Sequence, residues 1–223
     1  MVWYFNNELA FQYPSGQKID NALVRKFKDS VYSDSDEMEL YYSLWYMKRY
    51  NIPALTVIFP IEELSVNYGN EEDINKEFCD INSIKYRYEN RSGGCMVLFP
   101  GNIIIQDVYP TDNFLRQHGF LNAFVEYLQN KGIDAITNNN DLMVDGNKVV
   151  GAVSETLPEP YKGSVFFGLS ISINSDPELI SKICTKNSVK VPGALSDYGV
   201  TTEEVMKFAL EWFDKHRYED EIR

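Results

Sequence analysis

Asp145-Gly146, set between the apolar runs Leu142-Met143-Val144 and Val149-Val150, constrains the fold of this chain more than any other feature. Glycine tolerates the positive φ of a tight turn, and Asp-Gly between apolar segments specifies a β-hairpin. The stretch NNNDLMVDGNKVVGAV, residues 138–153, therefore predicts two short antiparallel strands. Turn chemistry accounts for Asp145 and Gly146. It does not account for Asn140-Asp141 at the start of the hairpin, or for Lys148 with Gly151 after it on the returning strand.

The flanking segments supply the other elements. PALTVIFP (53–60) reads as a buried strand bounded by prolines, and SIKYRY (83–88), CMVLF (95–99), NIIIQD (102–107) and SVFFGLSISIN (164–174) as further strands. Residues 33–50 read as a helix with Asp36 and Glu39 at its start. Residues 69–82 read as a short helix capped by Asn70, with Ile74, Phe78 and Ile81 facing inward. A long amphipathic helix is predicted from about Thr111 to Lys131, carrying Phe114, Leu121, Phe124 and Leu128 and ended by Gly132. Asp176-Pro177 starts another helix, and Thr201 with Glu204 caps a last one whose apolar face is Val205, Phe208, Ala209 and Trp212. Hairpins mixed with scattered helices give an α+β domain with a mixed, largely antiparallel sheet flanked by helices. No repeat or linker interrupts the 223 residues, so one domain over 1–223, without a C-terminal accessory domain, is expected.

Charge narrows the partners. At a net charge of −12 the chain is acidic nearly throughout, with one modest basic cluster at Lys182, Lys186 and Lys190. Nucleic-acid binding depends on basic side chains that release counterions, so no nucleic-acid partner is expected. No apolar run approaches a membrane span and no signal-like segment opens the chain, which predicts no membrane association and a cytoplasmic location. Cys79, Cys95 and Cys184 lack the spacing of a zinc site or a disulfide framework. With His118 and His216 as the only histidines, a Ser-His-Asp triad or a histidine-rich metal centre is disfavoured.

Upstream of the hairpin lies ENRSGGCMVLFPGN, residues 89–102. Adjacent glycines let the backbone approach a ligand and present N–H groups to an anion, and Arg91 adds a planar fork suited to carboxylate or phosphate. RSGGCMVLFPGNIII, followed by NDLMVDGNKVVGA, resembles the biotin/lipoate protein ligase superfamily, most closely the catalytic domain of lipoate–protein ligases. The resemblance rests on Ser92, Gly93, Gly94, Gly101 and Asn102 in the first motif, and on Asn140, Asp141, Gly146, Lys148 and Gly151 in the second.

That resemblance implies a fold akin to class II aminoacyl-tRNA synthetases and biotin synthetases. It also implies ATP-dependent activation of lipoate, or a related carboxylic acid, as an acyl-adenylate, followed by transfer to a lysine of a lipoyl or biotinyl carrier domain. A separate accessory subunit is a further implied partner. Lys148 takes the place of the lysine that contacts both the acyl carboxylate and the α-phosphate of ATP. A fixed ammonium is needed where two anions are brought together. Arg91, Ser92, Gly93, Gly94, Asn102 and Asn140 would contact substrate or adenylate, Gly151 and Ala152 would keep the cleft open, and Asp141 would sit near the Mg²⁺ that accompanies ATP. The chain departs from the ligase pattern at Cys95, where a third glycine is usual, and at Phe99-Pro100, in place of His-Asp. Arg91 with Pro100-Gly101-Asn102 is closer to the octanoyltransferase pattern, in which Cys184 would be the nucleophile, with Lys182 and Lys186 lowering its pKa. A third reading is a non-catalytic member that binds an acyl group, an adenylate or a partner protein.

Overall fold

The computed structural model describes residues 2–6, 9–13, 55–88, 94–109, 115–156, 165–186 and 191–216. Residues 33–50, Thr111, Phe114 and the loop 89–93 lie outside these. Among the described residues eleven strands run in chain order: β1 (Val2–Asn6), β2 (Leu9–Tyr13), β3 (Leu55–Pro60), β4 (Ser65–Tyr68), β5 (Lys85–Tyr88), β6 (Cys95–Leu98), β7 (Ile103–Tyr109), β8 (Ala135–Asn138), β9 (Asp141–Val144), β10 (Asn147–Thr156) and β11 (Val165–Ile171). The α-helices among the same residues are α1 (Lys76–Ile81), α2 (Leu115–Asn130), α3 (Pro177–Ile183) and α4 (Thr202–Lys215).

Eight strands form one sheet in the order β1-β2-β3-β7-β11-β10-β9-β8, and β5-β4-β6 form a second. Every adjacent pair in the large sheet is antiparallel. In the small sheet β4 runs parallel to β5 and antiparallel to β6. The expected α+β architecture with a mixed, largely antiparallel sheet and flanking helices is the one observed.

Period-two alternation divides the large sheet into two faces. Ile103, Ile105, Val165, Phe167, Leu169 and Ile171 point to one side, where they are almost fully buried with Phe120, Leu121 and Phe124 of α2 and Val205, Ala209 and Phe213 of α4. Each such apolar side chain contributes about 1.5–3 kcal/mol on burial. Rings interleave where the two helices meet: Phe120 lies edge-on to Trp212 at 5.3 Å and stacks on Phe213 at 5.2 Å. Beneath them Arg116 donates through Nε to Asp107 at 2.5 Å, Thr56 donates to the same carboxylate, and Arg116 also reaches the His216 carbonyl. This buried ion pair ties β3 and β7 to both helices. A smaller core of Val66, Tyr68, Ile74, Cys79, Ile84 and Ile183 joins the small sheet to α1 and α3.

The local signals hold at most helix ends. Asp176 caps α3 by accepting from the Leu179 N–H, with Pro177 in the first turn. Thr201 and Glu204 form the reciprocal capping box on α4. Gly132, at φ +80°, follows α2.

Three expectations are corrected. The helix over 69–82 is two pieces: a 3₁₀ turn at Glu71–Asp73 capped by Asn70, then α1 capped by Asn75, whose side chain accepts from the Phe78 N–H. A second competent cap inside the segment restarts the helix, and Ile74 becomes a bridge residue to Cys184. Ile81 is 75% exposed, because α1 stops there and only one of its faces meets the small core. The hairpin is a three-stranded unit. Residues 135–138 form β8, and Asn139-Asn140 turn it into β9 with Asn139 at φ +57°. Paired asparagines tolerate the turn, so part of NNND is a hairpin connection.

Candidate active site

Among the described residues the second face of the large sheet meets the small sheet and α3, and together they enclose a cleft of about 850 Å³. Ile104 and Gln106 of β7, Phe166, Gly168 and Ser170 of β11, and Gly151 and Val153 of β10 line its large-sheet wall. These are the residues that alternate with the core positions. Asn67, Arg87 and residues 94–99 line the small-sheet side, and Ile180, Ser181 and Cys184 of α3 close a third.

Lys148 enters this cleft because β10 is irregular. Lys148 pairs with Met143 and Val150 with Leu142, so the register shifts by one residue between them. A bulge of this kind re-aims side chains. Val149 and Val150, consecutive in sequence, are both buried in the main core. Lys148 and Gly151 consequently share the cleft face. The other edge of β10 at Lys148 is held by the segment 191–193: its N–H donates to the Val191 carbonyl at 2.7 Å, and its carbonyl accepts from Gly193 N–H at 2.9 Å.

Asp141 fixes the ammonium, with Lys148 Nζ 2.9 Å from Asp141 Oδ1. The lysine side chain is 37% exposed and the aspartate 15%, so the ammonium is presented to the cleft while its partner is sunk beside it. Gly151 makes this possible. A Cβ there would lie 3.1 Å from both Cε and Nζ of Lys148. The lysine lies along its own strand, over the space a side chain would fill. Lys148, Asp141 and Gly151, singled out in the sequence, thus form one constellation, and the glycine's purpose is room for the lysine.

Other sequence candidates sit elsewhere. Asn140 is exposed in the β8–β9 turn and does not line the cleft. Asn102 is 1% exposed, and its side-chain oxygen accepts from the N–H groups of Ile173 and Asn174 at 3.0 and 2.8 Å. It braces the loop between β11 and α3, which carries the cleft residues Asn174 and Ser175. Ala152, which also lines the cleft, packs against the main core. Gly94 stands exposed at the cleft rim, with open space where a side chain would be. Arg91, Ser92 and Gly93 lie outside the described residues.

Cys184 does line the cleft, at the C-terminal cap of α3. The expected influence of Lys182 and Lys186 is corrected. Lys182 is paired with Glu178 at 2.6 Å and Lys186 with Asp73 at 2.6 Å. The Cys184 thiol is held below its ordinary range by a hydrogen bond from the Cys95 thiol, against the opposing effects of burial and Asp73. That same contact, together with burial, pushes Cys95 far up.

Sequence reading missed Asn67, Asp73, Arg87 and Gln106, all mostly buried polar groups on the cleft wall. Alternation gave no signal for Arg87: it is the one buried residue of β5, although Lys85, two positions before it, is exposed. Lys148, Lys186 and Arg87 together bring three cationic groups to one cleft of a chain whose net charge is −12.

Asp141 is committed to Lys148, and among the described residues no group of three or more His, Cys, Asp or Glu side chains is arranged to hold a metal ion. Among the same residues no helix is long and apolar enough to cross a membrane.

A large antiparallel sheet, packed on helices at one face and bordering a cleft at the other, is the fold this chain shares with solved lipoate protein ligases. The family model of the lipoyl protein ligase A/B catalytic domain matches residues 66–213. The chain belongs to that family. Among solved structures it is similar to the bi-partite lipoate protein ligase of Thermoplasma acidophilum, described with its E2 lipoyl domain, at 16% identity over 86% of this chain and 77% of that one, with a TM-score of 0.61. A lipoate-protein ligase A bound with ATP is similar at 17% identity, covering 87% of this chain and 79% of that one, with a TM-score of 0.60. A T. acidophilum ligase structure with bound lipoic acid is similar at 18% identity, covering 87% and 80%, with a TM-score of 0.59. Identities this low establish the fold. No curated protein matches the chain.

Proposed function

We propose that this chain activates lipoate, or a related carboxylic acid, with ATP as an acyl-adenylate and transfers the acyl group to a lysine of a carrier protein domain. The observation that carries this reading is the placement of Lys148, held by Asp141 over Gly151 and facing a mostly apolar cleft. Adenylation brings a carboxylate against the α-phosphate of ATP, two groups that repel. An ammonium oriented in advance lowers that repulsion and stabilises the charge that develops as the new bond forms. The apolar wall from Ile104, Val153 and Phe166 suits a medium-length acyl chain, and Arg87 brings a guanidinium suited to the nucleotide's phosphates. Lipoic acid and ATP appear as ligands of similar proteins, and an E2 lipoyl domain accompanies another, which supports the same ligand and partner classes here. Magnesium is the ion that ATP ordinarily brings. The Asp141–Lys148 ion pair argues against Asp141 as its direct ligand, and no step is assigned to it.

Pyrophosphate release from ATP with lipoate, octanoate or biotin tests the reading. One acid should support release, and Lys148→Ala should abolish most of it while the chain stays folded. Loss of such a contact costs on the order of 2.7–4 kcal/mol in the transition state. Unchanged release would remove Lys148 from the chemistry.

A second reading has its own observation: Cys184 lines the same cleft with a thiol held below its ordinary range. In that reading the chain is an octanoyltransferase, and Cys184 accepts an acyl group from a thioester without ATP. ATP-independent transfer that Cys184→Ser abolishes would establish it over the ligase. Binding of an acyl-adenylate analogue with neither activity would point to a non-catalytic member.

A further inference from the structure

Cys95 and Cys184 are 89 positions apart in sequence, yet the fold brings them together where the small-sheet side of the cleft meets α3. Both are half-buried and both pack against the small core that contains Cys79. Neither is loosely held. Cys95 opens β6 opposite Tyr68 of β4. Cys184 forms a backbone bridge with Ile74, and its neighbours are fixed by hydrogen bonds from Asn75 N–H to the Ile183 carbonyl at 2.7 Å and from Thr185 N–H to the Asp73 carbonyl at 3.0 Å. The Cys184 sulfur lies 3.9 Å from the Cys95 carbonyl oxygen, so the two cysteines are neighbours across the join between β6 and α3. Nothing in the adenylation chemistry requires a dithiol here.

We propose that Cys95 and Cys184 are a reversible dithiol–disulfide pair, and that oxidation by a small-molecule disulfide staples the start of β6 to the end of α3 across the cleft wall. The Cys184 thiolate attacks one sulfur of the oxidant, forming a mixed disulfide and expelling one thiolate, which takes up a proton. Cys95 then loses its proton and attacks the Cys184 sulfur, expelling the second thiol. Two protein thiols and one disulfide become one protein disulfide and two small thiols, and electrons balance. The proton distribution favours this order, since the hydrogen bond that keeps Cys184 low places the proton on Cys95. Cys79, fully buried and raised by that burial, stays out of the exchange. Once closed, the bond joins the start of β6 to the end of α3, both of which line the cleft.

The full chain treated with oxidised glutathione and mapped by mass spectrometry tests the pair. The expected product has lost two hydrogen atoms, carries a Cys95–Cys184 linkage and leaves Cys79 alkylatable after denaturation, and dithiothreitol reverses it. Cys95→Ser should halt at a glutathione adduct on Cys184, and Cys184→Ser should leave Cys95 unmodified. Amide exchange should slow at residues 94–98 and 183–186 in the oxidised form. A lasting glutathione adduct on Cys184 of the unaltered chain, a linkage to Cys79, or no reaction would each overturn the proposal. All of these readouts are independent of turnover, so they stand or fall apart from the ligase reading.

Discussion

Gly151→Ala should separate activity from stability in opposite directions. The added Cβ would lie 3.1 Å from Lys148 Cε and Nζ and 3.9 Å from Asp141 Oδ1. Ordinary contacts between such atoms fall at about 3.5–4.0 Å, so the ammonium withdraws by roughly half an ångström. A displacement of about 1 Å near reacting groups costs on the order of 10²-fold in rate, which scales to about fivefold to tenfold for alanine. Valine fills the space the ammonium occupies, and its loss should approach that of removing a charge contact, about 10²–10³-fold. Stability behaves differently. Gly151 does not have a positive φ, and the clash is with the flexible end of a half-exposed side chain. Alanine therefore restricts the unfolded chain without straining the strand, which raises stability by about 0.4–1 kcal/mol. Single-turnover adenylation with the acid that supports pyrophosphate release gives the rates, and urea titration gives the stabilities. A Gly151→Ala chain with unaltered adenylation would refute the idea that the glycine positions the lysine. A chain that loses stability in parallel with activity would show that Gly151 serves the sheet instead.

Asn102→Ala strips the buried Ile173 N–H and the part-buried Asn174 N–H of their acceptor, and should cost about 1–3 kcal/mol in urea unfolding. A change under about 0.5 kcal/mol would show that water or the backbone replaces the brace. Arg116→Met leaves Asp107 buried without its main cation and should destabilise by about 3–5 kcal/mol, while adding Asp107→Leu should recover much of that. If the double variant is no more stable than the single one, the pair is needed for more than mutual neutralisation. The Glu204 carboxyl is lowered from 4.5, first by Lys131 and then by the Thr201 backbone N–H. Its contribution is complete above pH 4.5 and is lost as pH falls through the lower folded value, so Glu204→Gln should flatten the acid limb of stability against pH. An acid limb identical to that of the unaltered chain would argue that this carboxylate is not linked to folding.

Turn and cap chemistry acts over a few residues, and for that reason it was readable from the sequence. Asp145-Gly146 places both turn residues at positive φ, and Asp176-Pro177 and Thr201 with Glu204 start helices where expected. The apolar runs in PALTVIFP and SVFFGLSISIN likewise mark strands without knowledge of their neighbours. The motif residues Lys148, Asp141 and Gly151 were visible as a pattern, because they lie on two strands joined by a two-residue turn. What joins them was not visible. A register shift between Lys148 and Val150 depends on how β9, β11 and residues 191–193 compete for β10's hydrogen bonds, and no local propensity encodes that competition. The same holds for Asn102, whose partners are 71 and 72 positions away, and for Cys184, whose thiol answers to Cys95 instead of the lysines beside it in sequence. Lys182 and Lys186 are near Cys184 along the chain, but Glu178 and Asp73 take their charges. Sequence determines the elements because backbone and capping energies are local. The cleft and its chemistry come from pairings across the fold, where distance along the chain carries no information about distance in space.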